Sequence, residues 1–221
     1  MPVQDTGRRE RLRDLIGPSR KESMAAYGRR AQMLDAAAEL FSTRGYHGTS
    51  IRDIAAATGI LPGSLYAHIR SKEDLLYDIV VRAAEQFLTG VRIVVDGPGS
   101  PEEKLRKAMR SHIGVVAHAR EEARVFLEEW NALEEPRRAE VRALRDEYES
   151  LWDELIREGI EGGRLRQIDP TLARLLVLSA ANWTYTWYDP EGPLSPDEIA
   201  DRFTELLLRG LAADDETGVK R

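Results

Sequence analysis

Apolar residues in this chain recur at steps of three and four, and no stretch of useful length alternates at steps of two. Met33, Leu34, Ala37, Leu40 and Phe41 set the pattern, and Leu75, Leu76, Ile79, Val80, Phe87 and Leu88 repeat it. That spacing stacks side chains on one face of a helix, whereas a strand would scatter them over both of its faces. The chain therefore predicts as all-α. Breakers divide it at Gly45, Thr58-Gly59, Pro62-Gly63, Gly97–Pro101, Gly162-Gly163, Asp169-Pro170 and Ser195-Pro196. Gly closes a helix by accepting positive φ, and Ser or Asp followed by Pro opens one. Between these marks, helices are expected from about residue 25 to Gly45, after Thr49 or Ser50, over Pro62–Ile69 and from Ser71 onward. Further helices are expected at about 101–118, 122–132, 136–161, 170–187 and 196–212.

Composition narrows the function. Of 221 residues, 42% are hydrophobic and 32% charged, enough for a core and too polar for a membrane protein. No run approaches the ~18 apolar residues of a membrane helix. The polar N-terminus has no apolar segment of the secretory kind. Cysteine is absent, which removes disulfides, thiolate metal sites and thiol catalysis. The expected location is the cytoplasm. His112 and His118 are six apart, not the three or four of a helical metal pair, so no metal site is expected. No G-x-S-x-G, G-x-G-x-x-G or phosphate-cradling loop occurs, so neither an enzyme nor a cofactor is expected. Net charge is −6, but residues 1–78 hold 12 Lys/Arg against 10 Asp/Glu while the remainder holds 20 against 28. The basic excess lies at the front, where a nucleic acid would bind. Residues 1–24, with Arg8, Arg9, Arg11 and Arg13, read as a flexible basic arm, either solvated or touching DNA.

The segment Ile54–Ile69, IAAATGILPGSLYAHI, stops a helix and restarts it within a few residues. Gly59 tolerates the positive φ of a tight turn. Ala55, four residues earlier, lets a second helix cross closely, and Ile54, Ile60, Leu65 and Ile69 would fix the angle. The spacing suits a helix-turn-helix whose second helix enters the major groove, and equally a plain helical hairpin with a polar outer face. The candidate DNA-binding set follows. Pro62 and Gly63 are small enough for backbone to approach a duplex. Ser64 can bond a base edge or a phosphate, and Tyr66 and His68 can donate to phosphates. Lys72 adds a charge, Arg52 can reach from the preceding helix, and Thr49 and Ser50 stand at that helix's start.

The run TSIRDIAAATGILPGSLYAHIRSKEDLL resembles the signature of the TetR family of bacterial repressors, as T-[ST]-x-R-x-I-A-x-x-x-G, then G-x-L-Y-x-H, then K-E-x-L. The likeness covers about Gly28–Ala83. Ile69 departs from it, standing where the family usually has Phe. The resemblance implies a three-helix DNA-binding domain over residues 25–83 and a helical domain over 84–221 that dimerises and binds a small molecule. Two half-sites need two copies related by a two-fold axis. Leu172, Leu175 and Leu176, with Phe203, Leu206 and Leu207, are the expected dimer interface.

All four tryptophans fall in the C-terminal part. Aromatic bodies with polar tips suit a cavity for an apolar ligand. Met109, His112, Val116, Phe126, Trp130, Tyr148, Trp152, Trp183 and Trp187 are the candidate ligand-binding residues. The segment NWTYTWYDPEGPLSPDEIADRF is similar to that of TetR-type repressors of fatty-acid and sterol breakdown, which respond to acyl-CoA thioesters. That likeness would give CoA phosphates cationic partners among Arg106, Lys107, Arg110, Arg120 and Arg124, which are otherwise surface charges. The expected function is repression at double-stranded operator DNA, relieved by a small hydrophobic effector with acyl-CoA as a candidate. A regulator of efflux responding to hydrophobic drugs is the alternative, and a dimeric helical scaffold the remoter one. No membrane partner is expected.

Overall fold

The computed structural model describes residues 20–209, which form helices joined by short turns, with no strand among them. The chain divides into two compact units, Met1–Leu75 and Leu76–Arg221, a boundary eight residues ahead of the expected one at Ala83.

In the first unit, α1 spans Arg20–Arg44 and so begins before the expected residue 25; the rest of the basic arm lies outside the described residues. Met33, Ala37, Ala38 and Phe41 form its buried stripe. Gly45 ends it at φ 75°. Helix α2, Ile51–Thr58, is started by Ser50, whose hydroxyl accepts from the Asp53 N–H at 3.2 Å while the Asp53 carboxylate accepts from the Ser50 N–H at 2.8 Å. Such a reciprocal cap stabilises a helix by about 1 kcal/mol. Hydrogen bonds from the Ser50 hydroxyl and backbone also hold the Asp53 carboxyl below its usual range. Gly59 closes α2 at φ 67°, and the Ile60 N–H returns to the Ala55 carbonyl at 3.1 Å. The chain turns into α3, Pro62–Leu65. Ile54, Ala55, Leu65 and Ile69 are 0–3% exposed, so Ile69 does fill an apolar slot.

Gly59 has nothing within 4 Å of where a Cβ would stand, so only its backbone angle resists substitution. Gly59→Ala is expected to cost about 1–2 kcal/mol, the price of a left-handed turn in a residue with a Cβ. Hydrogen exchange across residues 51–69 should show the lost protection, and unchanged protection would remove the strain argument.

The second unit begins within α4, Lys72–Asp96, and continues through α5 (Pro101–His118), α6 (Arg120–Glu128), a 3₁₀ turn (Trp130–Ala132), α7 (Arg137–Glu161), α8 (Pro170–Asn182), α9 (Thr184–Trp187) and α10 (Pro196–Arg209). The starts follow the local chemistry. Ser100 forms a capping box with Glu103, Asp169 accepts from the N–H groups of Thr171 and Leu172, and Ser195 pairs with Glu198. Helix α5 is the hub, packing most extensively on α10 and also on α6, α7, α8 and α9. Its buried residues Leu105, Ala108, Met109, His112, Ile113 and Val116 follow the three-four rhythm. Arg110 ties it to α10 through a bidentate bond to Asp201 at 2.8 and 2.5 Å. Gly90 on α4 lets that helix lie close against α5, since a Cβ there would stand 1.9 Å from Ser111 Oγ.

Two expected helices are interrupted. The 122–132 segment becomes α6 and the 3₁₀ turn, and 170–187 becomes α8 and α9. In the second case the break falls in WTYTW, a run of aromatic and β-branched residues that favour helix less than Ala or Leu do.

Candidate functional sites

The first unit presents one polar surface at the turn. Arg52 on α2 and Gly63, Ser64 and Tyr66 around α3 are exposed, Tyr66 to 58%. Ser50 is exposed as well, though its hydroxyl is engaged with Asp53 at 2.5 Å. Pro62 opens α3 at the position where a missing N–H costs nothing. His68 is half-buried, and its carbonyl accepts from Arg30 Nη1 at 2.8 Å, which fastens the end of the reading segment to α1.

Two members of the expected set are otherwise employed. Thr49 is 2% exposed, and its hydroxyl donates to the carbonyls of Leu40 and Gly45, so it locks the α1–α2 turn from inside and does not face a duplex. The Lys72 ammonium lies 2.7 Å from the carbonyls of both Tyr46 and Thr49 and 4.0 Å from the Tyr46 ring. It therefore clamps the same turn. Sequence reasoning missed Leu61, 77% exposed at the N-cap of α3, and Arg70, whose side chain is 89% exposed. A large apolar residue just before the reading helix was the available signal, because a thymine methyl is an apolar feature of the major groove.

In the second unit, Phe87, His112, Phe126 and Tyr148 meet around a cavity of about 170 Å³. The Phe87 ring lies 4.9 Å from His112, 5.5 Å from Phe126 and 5.8 Å from Tyr148, centroid to centroid. His112 Nδ1 and the Tyr148 hydroxyl are hydrogen-bonded at 2.7 Å, and among the described residues His112 Nε2 has no hydrogen-bond partner. Burial lowers the His112 pKa to about 4, against a smaller opposing pull from Asn182, so the ring is neutral at pH 7. Burial also pushes the Tyr148 phenol above its ordinary range. Arg145, Glu149, Arg174, Ser179 and Asn182 complete the polar part of the wall.

The remaining expected ligand residues separate. Trp152 is fully buried behind the site, its ring 6.2 Å from His112 and 6.3 Å from Tyr148. Val116 is buried in the core. Met109 borders a second, mainly apolar cavity of about 260 Å³ with Leu105, Ile156 and Val177. Trp130 is half-buried under Arg145. Trp183 and Trp187 are 62% and 45% exposed and line neither cavity, because the break after Asn182 turns them outward. Phe87 and Arg145 were missed: one reads as ordinary core of α4, the other as a surface charge.

The arginines expected for CoA phosphates are also occupied. Arg106 and Arg110 hold Asp201, Arg120 Nε donates to the Tyr185 carbonyl at 2.9 Å, and Arg124 pairs with Glu128. Only Lys107, exposed and 3.5 Å from the Pro98 carbonyl, is loosely held. On the outer faces of α8 and α10, Leu172, Leu175, Leu176 and Leu206 are 50–62% exposed, with Phe203 and Leu207 half-buried beside them. Among the described residues no helix is long and apolar enough to cross a membrane.

The first unit thus defines a helix-turn-helix protein. Residues 33–79 match the model of bacterial regulatory proteins of the tetR family, and residues 98–211 match the tetracyclin repressor-like C-terminal domain. The chain belongs to the TetR family of transcriptional regulators. It is 34% identical to PfmR of Thermus thermophilus, with a TM-score of 0.75 over 82% of this chain and 99% of that one. It is 33% identical to AibR in a complex with isovaleryl coenzyme A and operator DNA, with a TM-score of 0.74 over 81% and 98%. The HTH-type transcriptional repressor KstR2 of Mycobacterium tuberculosis is 27% identical over 84% of this chain and 94% of its own length.

Proposed function

We propose that the protein is a repressor that grips its operator as a homodimer and releases it when an acyl-CoA places its acyl group in the 170 Å³ cavity. The observation that carries this reading is Phe87. It stands in the cavity wall on α4, the helix that starts at Lys72 directly after the DNA-reading segment. An acyl group that displaces Phe87 biases α4, and with it the recognition helices of the two copies. The ligand achieves this only by as much as it prefers one form over the other, and such couplings are typically about 5–150-fold in affinity. The bound isovaleryl coenzyme A in AibR supports the same class of effector, and the repressor KstR2 supports repression.

The test is an electrophoretic shift on the DNA upstream of this protein's own gene, with short- to long-chain acyl-CoAs titrated in. Release within that range of coupling is expected. Retention of the shifted band at saturating concentrations of every thioester eliminates the effector class.

A further inference from the structure

Two groups in the cavity wall of the second unit hold hydrogen-bond donors without a partner among the described residues. The first belongs to the pair of His112 and Tyr148. A neutral imidazole and a phenol carry one N–H and one O–H between them, and their 2.7 Å bond uses one. Whichever tautomer holds, the other is left over: Nε2–H if Tyr148 donates, the phenol O–H if His112 does. His112 is 2% exposed and its Nε2 has no hydrogen-bond partner among the described residues.

The second donor is Arg145. Its guanidinium is half-buried on the same wall, stacked 5.0 Å from the Phe126 centroid and 4.9 Å from that of Trp130. Among the described residues it makes no ion pair. Glu149, one turn along on α7, is bonded to Arg174, which also holds Asp153 at 2.9 Å. Burial weighs against the Arg145 cation, and the charges of Glu149 and Asp146 offset only part of that. An arginine that has lost water and gained no carboxylate is a site for an anionic oxygen group.

Arg145 and Tyr148 are three residues apart on α7, so their Cβ atoms lie roughly 5–6 Å from each other. A ligand that satisfies both carries its two acceptor groups only a few bonds apart. The cavity of about 170 Å³ has space for an acyl group of only a few carbons. Phe87 and Phe126 supply apolar walls for the methylenes between.

We propose that the cavity selects an acyl group bearing a second carboxylate, a short dicarboxylic acid held as its monothioester, with the carbonyl on the His112–Tyr148 pair and the carboxylate on Arg145. This rests on the acyl-CoA reading above and names the class within it. A plain acyl chain of the same length leaves the half-buried Arg145 donors without a carboxylate, which is the less favourable case.

Glutaryl-CoA and pentanoyl-CoA share the CoA portion and the carbon count and differ in the carboxylate. Calorimetric titration of the full chain should show glutaryl-CoA bound at least tenfold more tightly, and Arg145→Met should bring the two within about threefold. Pentanoyl-CoA binding as tightly as glutaryl-CoA overturns the proposal, because any anion at Arg145 would then come from the shared CoA. Failure of both to bind also overturns it. The operator titration is read separately: glutaryl-CoA that binds preferentially without releasing DNA supports this assignment and sinks the repressor mechanism. Should Arg145→Met not fold, the wild-type comparison decides alone.

Discussion

The double variant Leu172→Glu, Leu206→Glu is expected to run as a single chain on size exclusion with light scattering, and to bind operator roughly 10²–10³-fold more weakly than the parent. Both side chains are exposed in the protomer, to 62% and 50%, and neither borders a cavity, so the protomer has no reason to unfold. In a two-fold interface each substitution counts twice, which removes four buried leucines. At roughly 1.5–3 kcal/mol for each, the loss is about 6–12 kcal/mol before the burial of four carboxylates is added. Micromolar to nanomolar dimers are held by about 8–12 kcal/mol, so the association should disappear at working concentrations. A monomer reads one half-site and forfeits about half of the 4–10 kcal/mol that separates specific from non-specific binding. A variant that stays dimeric would move the interface off α8 and α10. A monomer with undiminished operator affinity would refute the two-half-site account.

The same leucines show what a sequence can and cannot disclose. Leu172, Leu175 and Leu176 read as a face because their spacing is a property of one helix, and the structure keeps that helix. Ser50, Ser100, Asp169 and Ser195 were readable as starts for the same reason: a cap is settled within three residues. Trp183 and Trp187 were not. Their four-residue spacing points inward only if the helix continues, and it breaks at Asn182. Thr49 looked like an exposed cap, yet its place is decided by Leu40 and Gly45, which are distant in pattern though near in space. Arg106, Arg110 and Arg120 looked available because their partners lie on other helices, whereas the Arg124–Glu128 pair, four residues apart on one helix, was readable. The converse holds for Arg145. Nothing local marks it off from Arg142 or Arg138, and only the rings of Phe126 and Trp130 make it a wall of the cavity.

His112 provides a second large effect, in acid. Its folded pKa of about 4 lies below the ordinary 6.5, so between these values the unfolded chain takes up a proton that the folded chain refuses. Stability contributed by the neutral ring is complete above about pH 6.5 and is lost as pH falls toward 4, at about 1.4 kcal/mol per pH unit within the window. The total is about 3 kcal/mol. His112→Gln keeps a hydrogen-bonding group for Tyr148 and cannot titrate there. The carboxyls held low by their caps and arginines, such as Glu103, Glu198 and Asp201, weaken the fold in acid as well, but equally in both proteins. The difference between the two therefore isolates the imidazole. Urea unfolding at a fixed chain concentration, followed by tryptophan fluorescence, reports on the second unit, because all four tryptophans lie there and Trp152 packs edge-on against His112. The parent should lose about 3 kcal/mol more than His112→Gln between pH 7 and pH 4. Parallel curves would mean that the ring is not held neutral by burial.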